Sequence, residues 1–314
     1  METQNNAAKY AFFYMLSLVA LIFMALSAGM IIFQIINKNI VDIINQYQGR
    51  YAPELLKFAI SALIISAPIY YIAVRQIFKN LASGALKKDS GIRKWLTYLI
   101  LFISSVVMLG WLIGTVNSFL DGDLTIKFIL KSITAIGIAA AVFTFYFYDI
   151  RREEVDNKKN NLIRIYLFGS LALVIAIFAA SLFFVESPTQ TRNRKIDNAI
   201  LEDFNVIDGA ITTYYDENGQ MPTDFAVLRE DFSYLKDDDF KNPVNEDGYE
   251  YKIIGENKYE LCTAFMSSNK DDSANQNDYY QDRWPHEAGY QCLGQTVHNT
   301  EEAKIRKQAE IPVD

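Results

Sequence analysis

The chain has 314 residues, a net charge of −7, 51% hydrophobic residues and two cysteines. An acidic balance speaks against a nucleic-acid partner, and two cysteines with two histidines leave little material for a structural zinc site. These averages hide the deciding feature, which is how unevenly the charges are spread.

No Lys, Arg, Asp or Glu occurs between Lys9 and Lys38, Lys57 and Arg75, Lys94 and Asp121, Lys131 and Asp149, or Arg164 and Glu186. A helix crosses hydrocarbon with ~20 apolar residues, and three of these runs reach that length outright. The other two extend by snorkelling Lys57 or Lys131 towards the headgroups. Five such runs exclude a soluble all-α protein, and the first is too long for a cleaved signal peptide. The sequence therefore predicts spans at about 10–36, 56–75, 95–120, 126–149 and 163–185. Gly29, Gly110, Gly114, Gly137 and Gly169 suit close helix packing, and Pro68 predicts a kink in the second span.

Basic residues in short connections set the orientation. The second connection carries Arg75, Lys79, Lys87, Lys88, Arg93 and Lys94, and the fourth Arg151, Arg152, Lys158, Lys159 and Arg164. The first has Lys38, Arg50 and Lys57, and the third sets Asp121 and Asp123 against Lys127 and Lys131. This alternation predicts a cytoplasmic amino terminus and a carboxyl-terminal domain outside. In an oxidising compartment Cys262 and Cys292 favour a disulfide over two buried thiols.

After the fifth run, Ser187-Pro188 reads as a helix start. Ile196, Ile200, Phe204, Ile207, Ile211 and Tyr214 then form one apolar stripe at three- and four-residue spacing. The turn motif Asn218, Gly219 and Pro222 ends that helix. A short helix follows at 224–232, and Asn242-Pro243 and Asp247-Gly248 bracket a turn. Residues 249–254 and 259–265 read as a hairpin with Tyr249, Tyr251 and Ile253 on its apolar face. Leu261 and Phe265 share a face and Cys262 takes the other, so the disulfide would pin 290–297 beside the hairpin. A mobile loop is expected at 267–282 and a weakly ordered tail from Asn299.

The fold class is thus a polytopic α-helical membrane bundle of five spans followed by a small α+β domain, a long amphipathic helix packed on a short antiparallel sheet. The divisions expected are 1–155 for a four-helix membrane domain, 156–187 for the fifth span and linker, 188–298 for the exported α+β domain and 299–314 for a flexible tail.

Two stretches carry resemblances. "KYAFFYMLSLVALIFMALSAGMIIFQIIN", "IRKWLTYLILFISS", "FLDGDLTIKFILK" and "FYFYDIRRE" resemble a bacterial membrane domain known only as domain of unknown function 5671. That resemblance implies a four-helix membrane domain and no known activity. "YYDENGQMPTD", "NPVNEDGYEYKI" and "YELCTAF" are similar to the globular head of type II secretion pseudopilins and type IV pilins. A pilin enters its filament through one leading span, cut after a glycine and carrying a glutamate five residues in. The fifth run opens Leu162-Ile163-Arg164-Ile165 and has neither feature, so the resemblance implies a pilin-type head on a polytopic anchor.

The segment from Asp282 to Cys292 concentrates Trp284, His286, Gly289 and Cys292. It reads as a disulfide-pinned turn with Trp284 and His286 packed around it, against a metal site built from His286 with Cys262, Cys292 or His298. Asp271, Asp272, Asp278 and Asp282 offer oxygen ligands but lack the spacing of a calcium loop, and Asp237-Asp238-Asp239 reads as an exposed turn. No nucleophile–base pattern, phosphate-binding glycine loop or metalloprotease motif is present, so neither catalysis nor a cofactor is expected. Lys131 is the one ionisable group expected inside a span. The partners expected are the lipid bilayer and other envelope proteins, with a transporter or channel subunit as the alternative and an envelope enzyme centred on His286 as a third reading.

Overall fold

The computed structural model describes residues 2–40, 42, 50–83, 91–151, 161–270 and 282–297. Lys87, Lys88, Arg152, Lys158, Lys159, Asp271, Asp272, Asp278, His298 and the tail from Asn299 lie outside the described residues. The chain divides into two compact units, Met1–Val185 and Glu186–Asp314.

The first unit is built from α1 (Glu2–Asn39), α2 (Pro53–Ala82), α3 (Gly91–Leu120), α4 (Ile126–Arg151) and α5 (Asn161–Leu182). All five are long and apolar enough to cross a membrane. Charged ends extend most of them past the uncharged runs: α2 takes in Glu54 and Lys57 at its start and Lys79 in its last turn. α5 instead stops at Leu182, and the amides of Phe184 and Val185 fold back on the Ser181 carbonyl at 3.0 and 3.1 Å.

The bundle pairs α1 with α2 and α3 with α4. Its buried interior includes Leu21, Met24, Ile31, Leu56, Leu63 and Ile100. Large apolar side chains on every one of the five helices stay exposed, including Phe23, Ile72, Ile113, Ile133 and Phe168. That much apolar surface is compatible with lipid and not with water. Hydroxyls inside the runs bond back to their own helix: Ser105 to Leu101, Thr115 to Trp111, Thr134 to Leu130 and Thr144 to Ala140, at 2.7–2.8 Å.

One packing expectation changes. A Cβ on Gly29 would meet Ile138 at 3.6 Å and one on Gly114 would meet Phe128 at 3.7 Å, whereas Gly110, Gly137 and Gly169 have nothing within 4 Å. Only the first two sit at close approaches. Pro68, where a kink is expected, lies inside α2.

The second unit sets α6 (Pro188–Asn218) on a three-stranded antiparallel sheet of β1 (Glu250–Gly255), β2 (Lys258–Phe265) and β3 (Gly289–Thr296), in the order β1-β2-β3. Ser187 caps α6: its hydroxyl accepts from Gln190 N while the Gln190 side chain accepts from Ser187 N. Gly219 closes the helix at φ 68°, a left-handed conformation that glycine reaches without a Cβ penalty. The short α7 (Phe225–Asp231) is capped by Asp224, whose carboxylate accepts from Ala226 N and Val227 N. The aspartate triplet forms a single turn of 3-10 helix, Asp237–Phe240, with Asp237 and Asp238 exposed.

The core forms where the α6 stripe meets the sheet. Ile200, Leu201, Phe204, Ile207, Ala210 and Ile211 pack with Tyr259, Leu261, Phe265, Leu293 and Trp284. Burial contributes ~1.5–3 kcal/mol for each large side chain removed from water. Phe204 is the hub, with edge contacts to Tyr249, Trp284 and Phe265 at 5.1, 5.5 and 6.1 Å between centroids. Tyr251 reaches this core, but Ile253, expected on the same face, stays 48% exposed next to a register shift between Ile253 and Gly255.

Cys262 and Cys292 are directly opposite in the β2–β3 register and are joined as a disulfide. Closing a 30-residue separation reduces the entropy of the unfolded chain, a contribution of ~3–4 kcal/mol in the chain-entropy model. Reducing the purified chain in detergent is expected to lower the unfolding free energy of the second unit by that amount, read as a fall in its urea midpoint by near-ultraviolet circular dichroism, with the Cys262→Ser/Cys292→Ser double variant behaving like the reduced protein.

Candidate functional site

The segment singled out by sequence, 282–292, is held against α6 by side-chain contacts on the core side of the sheet. Trp284 is fully buried, and its Nε1–H donates to Asn205 Oδ1 at 2.9 Å. The His286 ring stacks on Phe265 with centroids 4.0 Å apart. Asn269 works as a clasp: its Nδ2 donates to the Trp284 carbonyl at 3.0 Å, and its Oδ1 accepts from His286 N at 2.9 Å. Ser268 Oγ adds a bond to the His286 carbonyl, and Lys270 pairs with Glu287 at 3.0 Å.

Trp284 and His286 therefore do not pack around the disulfide. Cys262 alternates with Leu261 along β2 and lies on the opposite face from Phe265, which His286 covers. Gly289 opens β3 at φ 96°, a backbone conformation that admits glycine and strains other residues. Glu260, Cys262 and Cys292 bring ligand-type atoms within 4.8 Å, but both sulfurs are consumed by the disulfide and no thiolate is left for a metal. Asp282 is exposed at the start of the segment.

Three carboxylates of α6, unassigned by sequence, organise this face. Asp197 is 2% exposed and accepts from Met266 N at 2.7 Å, from Ser267 N at 2.8 Å and from the Ser267 hydroxyl. Asp208 accepts from the Tyr259 hydroxyl at 2.5 Å and pairs with the Arg283 guanidinium. Asp203 accepts from the Tyr249 hydroxyl at 2.7 Å. Burial pushes the Asp203 carboxyl up to about 6, against the lowering effect of that hydrogen bond and with help from Asp239 and Glu202. Burial likewise raises Tyr259 and Tyr249, each further raised by its aspartate partner. The signal for Asp197 and Asp208 was present: they stand eleven residues apart, three helical turns, directly beside the apolar stripe.

Asn242 was read only as a turn residue. It is 2% exposed, and its Nδ2 donates to Thr263 Oγ1 and the Ala264 carbonyl, both at 3.0 Å, tying the Asn-Pro turn to β2.

The helical unit holds ionisable groups beyond Lys131. At one end Arg93 of α3 donates to Asp149 Oδ2 of α4 at 2.9 Å and to the Asp149 carbonyl at 3.1 Å, and both side chains are nearly buried. A small cavity beside the pair is lined by Tyr14, Ser17, Thr97 and Tyr146. The buried Tyr14 hydroxyl has no hydrogen-bond partner among the described residues. At the other end Lys131 lays its Nζ 5.9 Å from the centroid of Phe33 on α1.

Residues 10–146 match the family described as domain of unknown function DUF5671. That span takes in α1, α2, α3 and most of α4, in agreement with the resemblance of the amino-terminal stretches, and the description assigns no activity. No curated protein and no solved structure matches the chain.

The environment of His286 fixes a pH dependence. Burial pushes its imidazole below the ordinary value, opposed by the Trp284 carbonyl and the Asp197 charge and reinforced by Lys270. With Nδ1 facing the Trp284 carbonyl at 3.0 Å, Nε2 is the atom that would take the second proton, and it is buried without a partner among the described residues. A base with a depressed folded-state value contributes stability above the ordinary 6.5 and loses it as pH falls below. Thermal melts between pH 7.5 and pH 5 are expected to show that loss set against the gain from Asp203, whose raised carboxyl favours the fold as pH falls, and His286→Phe, which keeps the stack on Phe265 and leaves the Trp284 carbonyl its Asn269 donor, is expected to remove the loss and leave the gain.

Proposed function

We propose that this chain is a non-enzymatic multi-pass membrane protein that displays its Glu186–Asp314 unit outside the cytoplasm as a pseudopilin-like head for envelope interaction or architecture. The observation that carries the reading is the disulfide between adjacent strands of that unit, because such a bond persists in an oxidising compartment and not in a reducing cytosol. The basic residues agree, being concentrated in the second and fourth connections of the amino-terminal unit. The order of a long capped helix, an Asn-Gly-x-x-Pro turn and a small antiparallel sheet supports the pilin-type head.

The side chains suited to chemistry are taken up within the fold. His286 stacks in a core, Asp197 and Asp208 bind backbone and side chains of their own unit, and the two thiols are spent. On this reading the partners are the bilayer and other envelope proteins, and nucleic acid is not among them.

A transporter or channel subunit is the second reading, favoured by the buried Arg93–Asp149 pair and by the Tyr14 hydroxyl beside it, which has no partner among the described residues. Proteoliposome flux that Asp149→Asn abolishes would establish it in place of the first.

For the favoured reading, protease added to intact cells is expected to trim the chain to a fragment ending near Val185, and the full chain is expected to migrate faster unreduced than reduced. A chain that resists external protease while both cysteines titrate as free thiols would place the second unit in the cytosol and end the proposal.

A further inference from the structure

Between α1, α3 and α4 lies a laterally open cavity of about 280 Å³ with an almost wholly apolar lining. The small residues Gly29, Ala135 and Ala139 make room in its lining, and Phe33 and Trp111 close one end with ring centroids 5.5 Å apart. Its volume stands just under the ~300–1,000 Å³ of small-molecule sites, room for a stretch of one acyl chain.

The aromatic end carries charge. Lys131, one helical turn before Ala135, lays its Nζ 5.9 Å from the centroid of Phe33. Lys127 lies one turn further along α4 and is 7% exposed. The two ammonium groups repel each other, and Asp42 is the carboxylate that attracts both. Asp42 also accepts from Thr125 Oγ1 at 2.9 Å. Residues 43–49 add no Asp or Glu. Lys127 and Lys131 therefore draw on one shared carboxylate, Asp42, at the end of an apolar groove.

We propose that this groove is a binding site for an anionic membrane phospholipid, with an acyl chain against Phe33 and Trp111 and the phosphate at Lys131. Basic pockets between membrane helices select anionic headgroups, and the apolar part of the same molecule fills the cavity. A second copy of the chain entering across a two-fold axis would bring its own Lys127 and Lys131 to the same level and add to the repulsion. The site rests on the bilayer reading of the five helices and not on the orientation or role proposed above.

The test uses the full chain in bilayers of phosphatidylcholine containing either dibrominated phosphatidylcholine or dibrominated phosphatidylglycerol, with quenching of tryptophan fluorescence as the readout. Trp111→Phe isolates the contribution of Trp111, and Trp95→Phe that of Trp95, which is 66% exposed on α3 outside the groove. Brominated phosphatidylglycerol is expected to occupy the Trp111 site about fivefold more tightly than brominated phosphatidylcholine, the contribution of one lysine near an anionic headgroup. Lys131→Gln is expected to bring that ratio to one while Trp95 shows equal quenching by both lipids throughout. Equal quenching of Trp111 in the unaltered chain overturns the proposal, as does a preference that survives Lys131→Gln. Protection of Trp111 from both lipids overturns it in favour of a second protein copy in the groove. Absence of Trp95 quenching overturns the bilayer reading as well, which separates the two failures.

Discussion

A backbone amide in hydrocarbon has no water to bond when its helical partner is missing, and that constraint organises the whole amino-terminal unit. It makes each uncharged run a continuous helix, and it turns hydroxyls back on the carbonyl one turn earlier, as at Thr115 and Thr134. Where helices stop, side chains from elsewhere in the unit take over. Gln34 accepts from the amide of Ala52, which precedes α2 without a capping side chain of its own, at 2.8 Å. The Tyr51 hydroxyl donates to the carbonyl of Phe184 after α5, also at 2.8 Å. Lys38 lies over the ring of that same Tyr51. The ends of α1, α2 and α5 are thereby joined at one level of the bundle.

The second unit follows the opposite solvent rule. One long helix offers one apolar stripe, so it covers one face of a three-stranded sheet and leaves the other open. The disulfide lies on the face away from α6, while Phe204 and its aromatic neighbours secure the face against it. The two devices are complementary. Packing fixes β2 against α6, and the covalent bond fixes β3 against β2. The α6 carboxylates add direction to that packing: Asp197 holds the end of β2, and Asp208 holds Tyr259 near its beginning. A stripe of aliphatic side chains tolerates sliding, whereas these bonds admit one register of helix on sheet.

Much of this architecture was legible in the sequence because it depends on period and length. Charge-free runs, the α6 stripe, the Ser187-Pro188 start, the Gly219 stop and the β1–β2 alternation are local patterns, and each appears as an element in the structure. What stayed hidden depends on distance along the chain. Arg93 and Asp149 are 56 residues apart, and nothing near either one announces the other. Trp284 and His286 looked like neighbours of Cys292 because they are close in sequence. The chain between His286 and Gly289 carries them to different faces of the sheet, with Trp284 and His286 in the core and the sulfur outside it. The glycines failed as markers for a related reason: a small residue permits close approach, but only a facing side chain such as Ile138 or Phe128 makes use of it.

The two ends of the helical bundle solve the problem of buried charge differently. At the Arg93 end a guanidinium meets a carboxylate and its backbone carbonyl, so a cation and an anion leave water together and their mutual attraction offsets the desolvation. At the Lys131 end two ammonium groups draw on Asp42, and one of them rests on an aromatic ring rather than on an anion. A ring face attracts a cation by only ~0.5–2 kcal/mol, well short of the cost of removing an ammonium group from water. A lysine settled there is stable only if headgroups or water reach it from the side. The open groove beneath Phe33 and Trp111 provides that access, which makes this end of the bundle the one whose chemistry is completed by the surrounding membrane and the Arg93 end the one completed by the chain itself.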